Sequence, residues 1–189
     1  EEALFLKAHG INYDIISGIT SSIAVPMYAS IPVTHRGIAT SFHVITGHEH
    51  SEKGNIDWEA LARVNGTLVF LMGMENIEYI SSMLIQYGKS KTCPVAVIMN
   101  GTRYNQKEVY GDLSNIKEAC EKANIKSPSI IIVGETVRLH EELSQKNKGL
   151  LEGVKVAITR PLDKIEDICD KFKASGAIPI KLPCIKLQK

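Results

Sequence analysis

The sequence predicts an α/β protein built on a mixed sheet flanked by helices, and three observations carry that expectation. From residue 41 onward, short apolar runs alternate regularly with stretches of helical periodicity. Two of those runs, Thr67 to Leu71 and Ser129 to Val133, are almost continuously apolar, as strands covered on both faces must be. Two further runs, Pro94 to Met99 and Gln106 to Tyr110, flank an Asn100-Gly101 turn signal, which predicts an antiparallel pair within the sheet.

Taken in order, EEALFLKAHG reads as the last turns of a helix closed by Gly10. It opens in mid-pattern without an initiator methionine, so the sequence predicts that something precedes Glu1. Ile11 to Ile16 reads as a short strand, and Thr20 to Ala29 as a buried helix capped by Thr20 or Ser21 and stopped by Pro32. IPVTHRG reads as a connector between two lobes, because proline and glycine bracket polar residues just before a new strand, SFHVITG.

After the Thr67 strand, a helix over about Asn76 to Tyr87 places Ile77, Ile80, Met83 and Leu84 on one face, with Gly88 as its stop. Asp112 or Ser114 starts the next helix, and Glu135 to Leu143 reads as a short amphipathic one. QKNKGLLEG reads as a linker. Beyond it, strand Val154 to Thr159, a helix from about Leu162 to Ser175, and strand Ile178 to Leu182 form one β-α-β unit, too small to enclose a core of its own. The sequence therefore predicts that the chain is cut within this second domain.

Composition excludes several classes. Lys and Arg number 22 against 21 acids, so no strong net field favours nucleic acid or an anionic membrane. Apolar stretches such as TLVFLMGM are far shorter than the roughly 20 residues of a membrane-spanning helix. The four cysteines, Cys93, Cys120, Cys169 and Cys184, are widely spaced without a C-x-x-C pair, so the expected compartment is the cytosol. His48-Glu49-His50 lacks helix-face geometry and a third ligand; it reads as a solvated loop, and no metal site is expected. Neither a G-x-S-x-G elbow nor a phosphate loop ending in Gly-Lys-Ser/Thr occurs.

Three loops after strands remain as ligand candidates: Gly18 to Ser21, Met72 to Met74, and Asn100 to Thr102. Each combines small residues with a hydroxyl, an amide or a thioether, so a ligand can approach the backbone. Each also has an ordinary structural reading, as a cap, a core methionine and a hairpin turn. Arg36, beside His35 in the connector, suits bidentate binding of a carboxylate or, equally, pinning of two lobes.

Taken together, GITSSIAVPMYASIPVTHRGIATSFHVITGHE, DWEALARVNGTLVFLMGMENI, PVAVIMNGTRYNQKEVYGDL and PSIIIVGETVRL resemble, in order and spacing, the second half of the uroporphyrinogen-III C-methyltransferase branch of the tetrapyrrole methylases. The resemblance implies a tetrapyrrole methylase-like two-lobed fold: residues 1–36 end the first lobe and connector, 37–143 form the second lobe, and 144–152 form a linker. It implies S-adenosylmethionine-dependent methylation of uroporphyrinogen III, twice, to precorrin-2, with S-adenosylhomocysteine as product. A soluble homodimer acting on a small tetrapyrrole, without nucleic acid or membrane, is implied too.

Carried over by position, the cofactor contacts fall on Thr20, Ser21, Met72 and Gly101. Thr20-Ser21 stands where the family carries Thr-Ala, a change that keeps close backbone approach open. Arg36, His35 and Arg103 are candidates for the substrate carboxylates, and Glu1 for assisting loss of a ring proton. The family's glycine-rich loop, its Gly-Gly-Asp loop and its upstream arginines have no counterpart here, so the piece alone is expected to be inactive. Residues 153–189, GVKVAITRPLDKIEDICDKFKASGAIPIKLPCIKLQK, resemble the start of a doubly wound uroporphyrinogen-III synthase domain, and the whole a bifunctional fusion. Alternatives are a methylase of a later cobalt-containing precorrin and a non-catalytic dimerisation module.

Overall fold

The computed structural model describes residues 1–47, 55–144, 149–151 and 153–185. Five strands, β1 (Phe42–Thr46), β2 (Thr67–Leu71), β3 (Pro94–Met99), β4 (Lys107–Asp112) and β5 (Ser129–Val133), form one mixed sheet in the order β1-β2-β5-β3-β4. β1 and β2 are parallel, whereas β5 runs antiparallel to both β2 and β3, and β4 antiparallel to β3. The C-terminal ends of β1, β2 and β3 therefore gather on one edge of the sheet.

The helices are α1 (Glu2–Ala8), α2 (Ser21–Tyr28), α3 (Trp58–Arg63), α4 (Ile77–Gln86), α5 (Ile116–Lys122), α6 (His140–Leu143) and α7 (Glu166–Ala174). Alternation along the strands sorts the core into two layers. Leu68, Phe70, Val95, Val97, Ile131 and Val133 meet Ile77, Ile80 and Leu84 of α4 and Ile116 and Cys120 of α5, with Trp58 and Leu61 of α3 alongside. Val69, Ala96, Ile98, Ile130 and Ile132 meet Val25 of α2, Ala29 just after it, and Val137. Each fully buried large side chain contributes about 1.5–3 kcal/mol. At the edge opposite the strand ends, the Thr67 and Thr136 hydroxyls, both fully buried, bond each other at 2.8 Å.

A second sheet holds β6 (Lys155–Ile158) and β7 (Ile178–Lys181), parallel and joined by α7. Ile158, Ile165 and Cys169 form the buried cluster of the unit. This is the expected β-α-β unit.

Several expectations are corrected. Ile11 to Ile16 forms no strand and is exposed throughout, since among the described residues no strand lies beside it to complete a ladder. The Thr20 to Ala29 helix is buried on one face only, with Met27 and Tyr28 63% and 64% exposed. α3 went unforeseen; the Asp57 carboxylate caps it by accepting from the Ala60 N–H at 2.9 Å. Residues 135–143 divide into a 3₁₀ turn, Glu135–Leu139, followed by α6. His48, Glu49 and His50, and residues 145–148 and 152 of the linker, lie outside the described residues.

Among the described residues no helix is long and apolar enough to cross a membrane, and no cluster of His, Cys, Asp and Glu could hold a metal ion. All four cysteines are free, and only Cys184 is exposed. Burial raises the Cys93 thiol and pushes Cys120 up to about 11, so both stay protonated at neutral pH. Alkylation at pH 8 followed by mass spectrometry is therefore expected to find Cys184 modified first and the other three only after denaturation. Thr67→Val, which orphans the Thr136 hydroxyl, is expected to cost about 1–3 kcal/mol in urea unfolding. The Thr67→Val/Thr136→Val double variant should cost less than the sum of the two single ones.

Candidate active site at the strand-end edge

The edge formed by the ends of β1, β2 and β3 is where backbone strain concentrates. Met72, directly after β2, has φ 55°, and Asn100 and Thr102, directly after β3, have φ 53° and 66°. A β-branched threonine or a long methionine in this region costs on the order of 1–3 kcal/mol, and such strain clusters at functional sites. The Met72 side chain is 64% exposed, so packing does not account for its conformation. By contrast, the left-handed Ser30 closes α2 as a helix stop, with the Ile31 N–H bonding the Pro26 carbonyl at 2.8 Å.

The strand register fixes how far apart these turns are. Leu71 pairs with Ile130 and Met99 with Ser129, so β5 alone separates β2 from β3. Two inter-strand spacings put the Met72 and Gly101 turns ~10 Å apart. α2 lies over this edge, because a Cβ on Gly101 would stand only 2.3 Å from a Val25 methyl. Thr20 precedes Val25 by five residues, roughly 7–8 Å along the helix. Its hydroxyl accepts from the Ser22 N–H at 3.3 Å and bonds the Ser22 hydroxyl at 2.9 Å. The cap reading of Thr20 thus holds, and Ser21 beside it is exposed.

The same edge is rigid on the β1 side. A Cβ on Gly47 would stand 2.7 Å from the Gly73 Cα, so the two glycine backbones touch. Asn76, 2% exposed, donates to the Gly47 carbonyl at 2.6 Å, tying the end of β1 to the turn after Met72. Sequence reading missed Asn76; its place three residues after Gly73 is the only signal for it.

The other candidates are arranged differently. His35 and Arg36 occupy an exposed turn closed by the His35–Ala39 bridge, with His35 Nδ1 2.9 Å from the Arg36 carbonyl. Arg36 makes no ion pair among the described residues. Glu1 is fully exposed and α1 buries none of its residues, so among the described residues nothing in the packing holds Glu1 at the strand-end edge. Arg103 follows the strained Thr102 and lines a cavity beside β4.

A polar chain on β4 also went unread. Gln106 accepts from the Thr102 N–H at 2.6 Å and donates to Glu108 Oε1 at 2.6 Å, while Tyr110 donates to Glu108 Oε2 at 2.6 Å. The Tyr110 ring stacks on His140, with centroids 3.6 Å apart. Burial, reinforced by the bond to Glu108, raises the Tyr110 phenol well above its usual range, so it stays a donor. The period-2 spacing of residues 106, 108 and 110 was the available signal.

Gly101→Ala is expected to lower stability by about 1–3 kcal/mol by overpacking Val25. Adding Val25→Ala should recover most of that loss in thermal melts, and an additive double variant would show that the two residues do not meet.

Known proteins give this geometry a context. Residues 1–117 match the family model of the tetrapyrrole (corrin/porphyrin) methylases. The chain is 45% identical over 185 residues to a uroporphyrinogen-III C-methyltransferase of Bacillus subtilis, covering 97% of this chain and 38% of that protein. It is 37% identical over 189 residues to the porphyrin biosynthesis protein HemD of Ruminiclostridium josui, covering 99% of this chain and 37% of that one. The chain thus spans well under half the length of both relatives. The structure superposes on a Thermus thermophilus uroporphyrin-III C-methyltransferase complexed with S-adenosylhomocysteine, with a TM-score of 0.62 and 30% identity, over 73% of this chain and 59% of that one. With a match across more than half its length, and a mixed sheet whose strained turns share one edge, the chain belongs to the tetrapyrrole methylase family.

Proposed function

We propose that the chain is part of an S-adenosylmethionine-dependent methyltransferase that converts uroporphyrinogen III to precorrin-2, in a fusion with uroporphyrinogen-III synthase. The observation that carries this reading is that the Met72 and Gly101 turns lie ~10 Å apart at one sheet edge, with α2, capped by Thr20, packed on Gly101 through Val25, in a family whose relatives bear that activity by name. The site fits an extended, polar small molecule. Gly101 packs its bare Cα against Val25, and Met72, Asn100 and Thr102 hold left-handed backbone at the ends of β2 and β3. Thr20, Ser21, Met72 and Gly101 would hold the cofactor.

S-adenosylmethionine supplies an electrophilic sulfonium methyl, so the protein needs no covalent nucleophile. What the chain contributes is alignment, since fixing the attacking carbon against the S–CH₃ axis accounts for much of the barrier. The Asn76 tie and the Gly47–Gly73 contact keep the Met72 turn from shifting when a ligand docks. Arg36 and His35 bind substrate carboxylates, and Arg103 extends that cationic lining beyond Gly101. Glu1 assists proton loss from the methylated ring, which requires α1 to be held by contacts outside the described residues.

The synthase portion rests on the β6–α7–β7 unit and on two porphyrin-pathway relatives whose similarity continues through it. A second reading, a non-catalytic dimerisation module, draws on the apolar side chains exposed near the N-terminus, with Ile15, Ile16 and Ile19 each more than 80% exposed.

The full-length protein given methyl-labelled S-adenosylmethionine and metal-free uroporphyrinogen III is expected to yield a doubly methylated product by mass spectrometry. Methylation of a cobalt-containing precorrin alone would overturn the substrate assignment, and a dimer by light scattering with no transfer to either would favour the module. Arg36→Ala is expected to raise KM for the tetrapyrrole about 10-fold or more, the worth of a charge-assisted bond, with a smaller change in kcat.

A further inference from the structure

A cavity of about 920 Å³ runs along the free side of edge strand β4, between the five-stranded sheet and the β6–α7–β7 unit. It lies beyond Gly101: Thr102, the last residue of the turn after β3, reaches its wall, while Thr20, Ser21, Met72 and Gly101 do not line it. Its volume is that of a small-molecule site, at the upper end of the usual range of roughly 300–1,000 Å³. The two units meet here: the Lys155 ammonium sits 4.1 Å from the centroid of the Tyr104 ring, and a Cβ on Gly153 would stand 3.3 Å from the Tyr104 carbonyl.

The charges around the cavity do not balance. Arg103 and Lys107 line it and Lys155 borders it, and none of the three forms an ion pair among the described residues. Among the described residues the only acid lining it is Glu108, whose two oxygens accept from the Gln106 amide and the Tyr110 hydroxyl. Most other bonds from lysine or arginine side chains to a carboxylate in the molecule are ordinary surface pairs within one helix or between neighbours. Beside β4 the cations converge on a cavity instead. Tyr28 and Tyr104, 64% and 54% exposed, add aromatic faces to the wall. The Thr102–Gln106 bond fixes the loop that carries Arg103. Uncompensated cations beside flat rings select a ring-shaped ligand with several carboxylates.

We propose that this groove is a second tetrapyrrole-binding site, holding the carboxylate-bearing macrocycle between the methylase sheet and the β6–α7–β7 unit. The proposal rests on the tetrapyrrole reading above for its ligand class; it shares Arg103 with that reading but stands on Lys107, Lys155, Tyr28 and Tyr104, which that reading does not use. It makes the groove a station where a macrocycle released by one unit is held beside the other.

The test is a fluorescence titration of the full-length protein with uroporphyrin III, the stable oxidised octacarboxylate, alongside a dicarboxylate porphyrin. The wild type is expected to bind two equivalents of uroporphyrin, and the dicarboxylate at least 10-fold more weakly at the groove. Lys107→Glu/Lys155→Glu, at two exposed positions, should lose one equivalent or weaken it at least 10-fold, while Lys107→Arg/Lys155→Arg keeps both. S-adenosylhomocysteine affinity, measured by calorimetry, should stay within twofold in every variant. A single equivalent in the wild type, or charge reversal without effect, overturns the groove. Two equivalents sensitive to charge reversal in a protein that binds no S-adenosylhomocysteine would instead overturn the methylase reading and leave the groove standing.

Discussion

The contact between Val25 and Gly101 is the constraint on which the candidate site depends. A side chain at residue 101 would begin inside the Val25 methyls, so α2 comes as close to the turn after β3 as atoms allow. Thr20 and Ser21, five and four residues earlier, begin the helix that makes this contact. Close packing of this kind tolerates little adjustment, because interiors are as dense as organic crystals. The site is therefore defined less by a catalytic side chain than by how near a helix and a turn can lie.

Around that contact the sheet supplies rigidity and the turns supply strain. Both faces of β2, β3 and β5 are covered, and the Thr67–Thr136 bond fastens the far end. Cooperative stability there can hold Met72 and Thr102 in conformations they would not choose alone. Asn76 extends the same logic to β1, joining its last carbonyl to the turn beyond Met72.

Much of the sheet was legible because buried strands write themselves as apolar runs. Thr67–Leu71, Pro94–Met99 and Ser129–Val133 fall where their composition puts them. α3 was not legible, since six residues are too few for helical periodicity and only Asp57 marks its start. Ile11 to Ile16 has strand composition but lacks a neighbour to pair with, and pairing is a property of the whole fold. At the site, small residues flagged the three loops, yet what gives Gly101 its role is Val25, seventy-six residues away in sequence. The strain at Met72 was equally hidden, as nothing in a methionine announces a left-handed backbone. The chain from Gln106 to Tyr110 could have been read from alternation, but its stack on His140 depends on the turn that follows β5.

The position of β5 bears on how the molecule comes to be made. It is the last strand of the large sheet to be synthesised, yet it lies at the middle, between β2 and β3. Until residue 133 is available, β1–β2 and β3–β4 are two ribbons with no shared ladder. Joining them closes long loops at once, the kind of topology that folds slowly. A nascent chain paused before this segment would present two sticky half-sheets, and maturation of the fold would wait on a single late insertion.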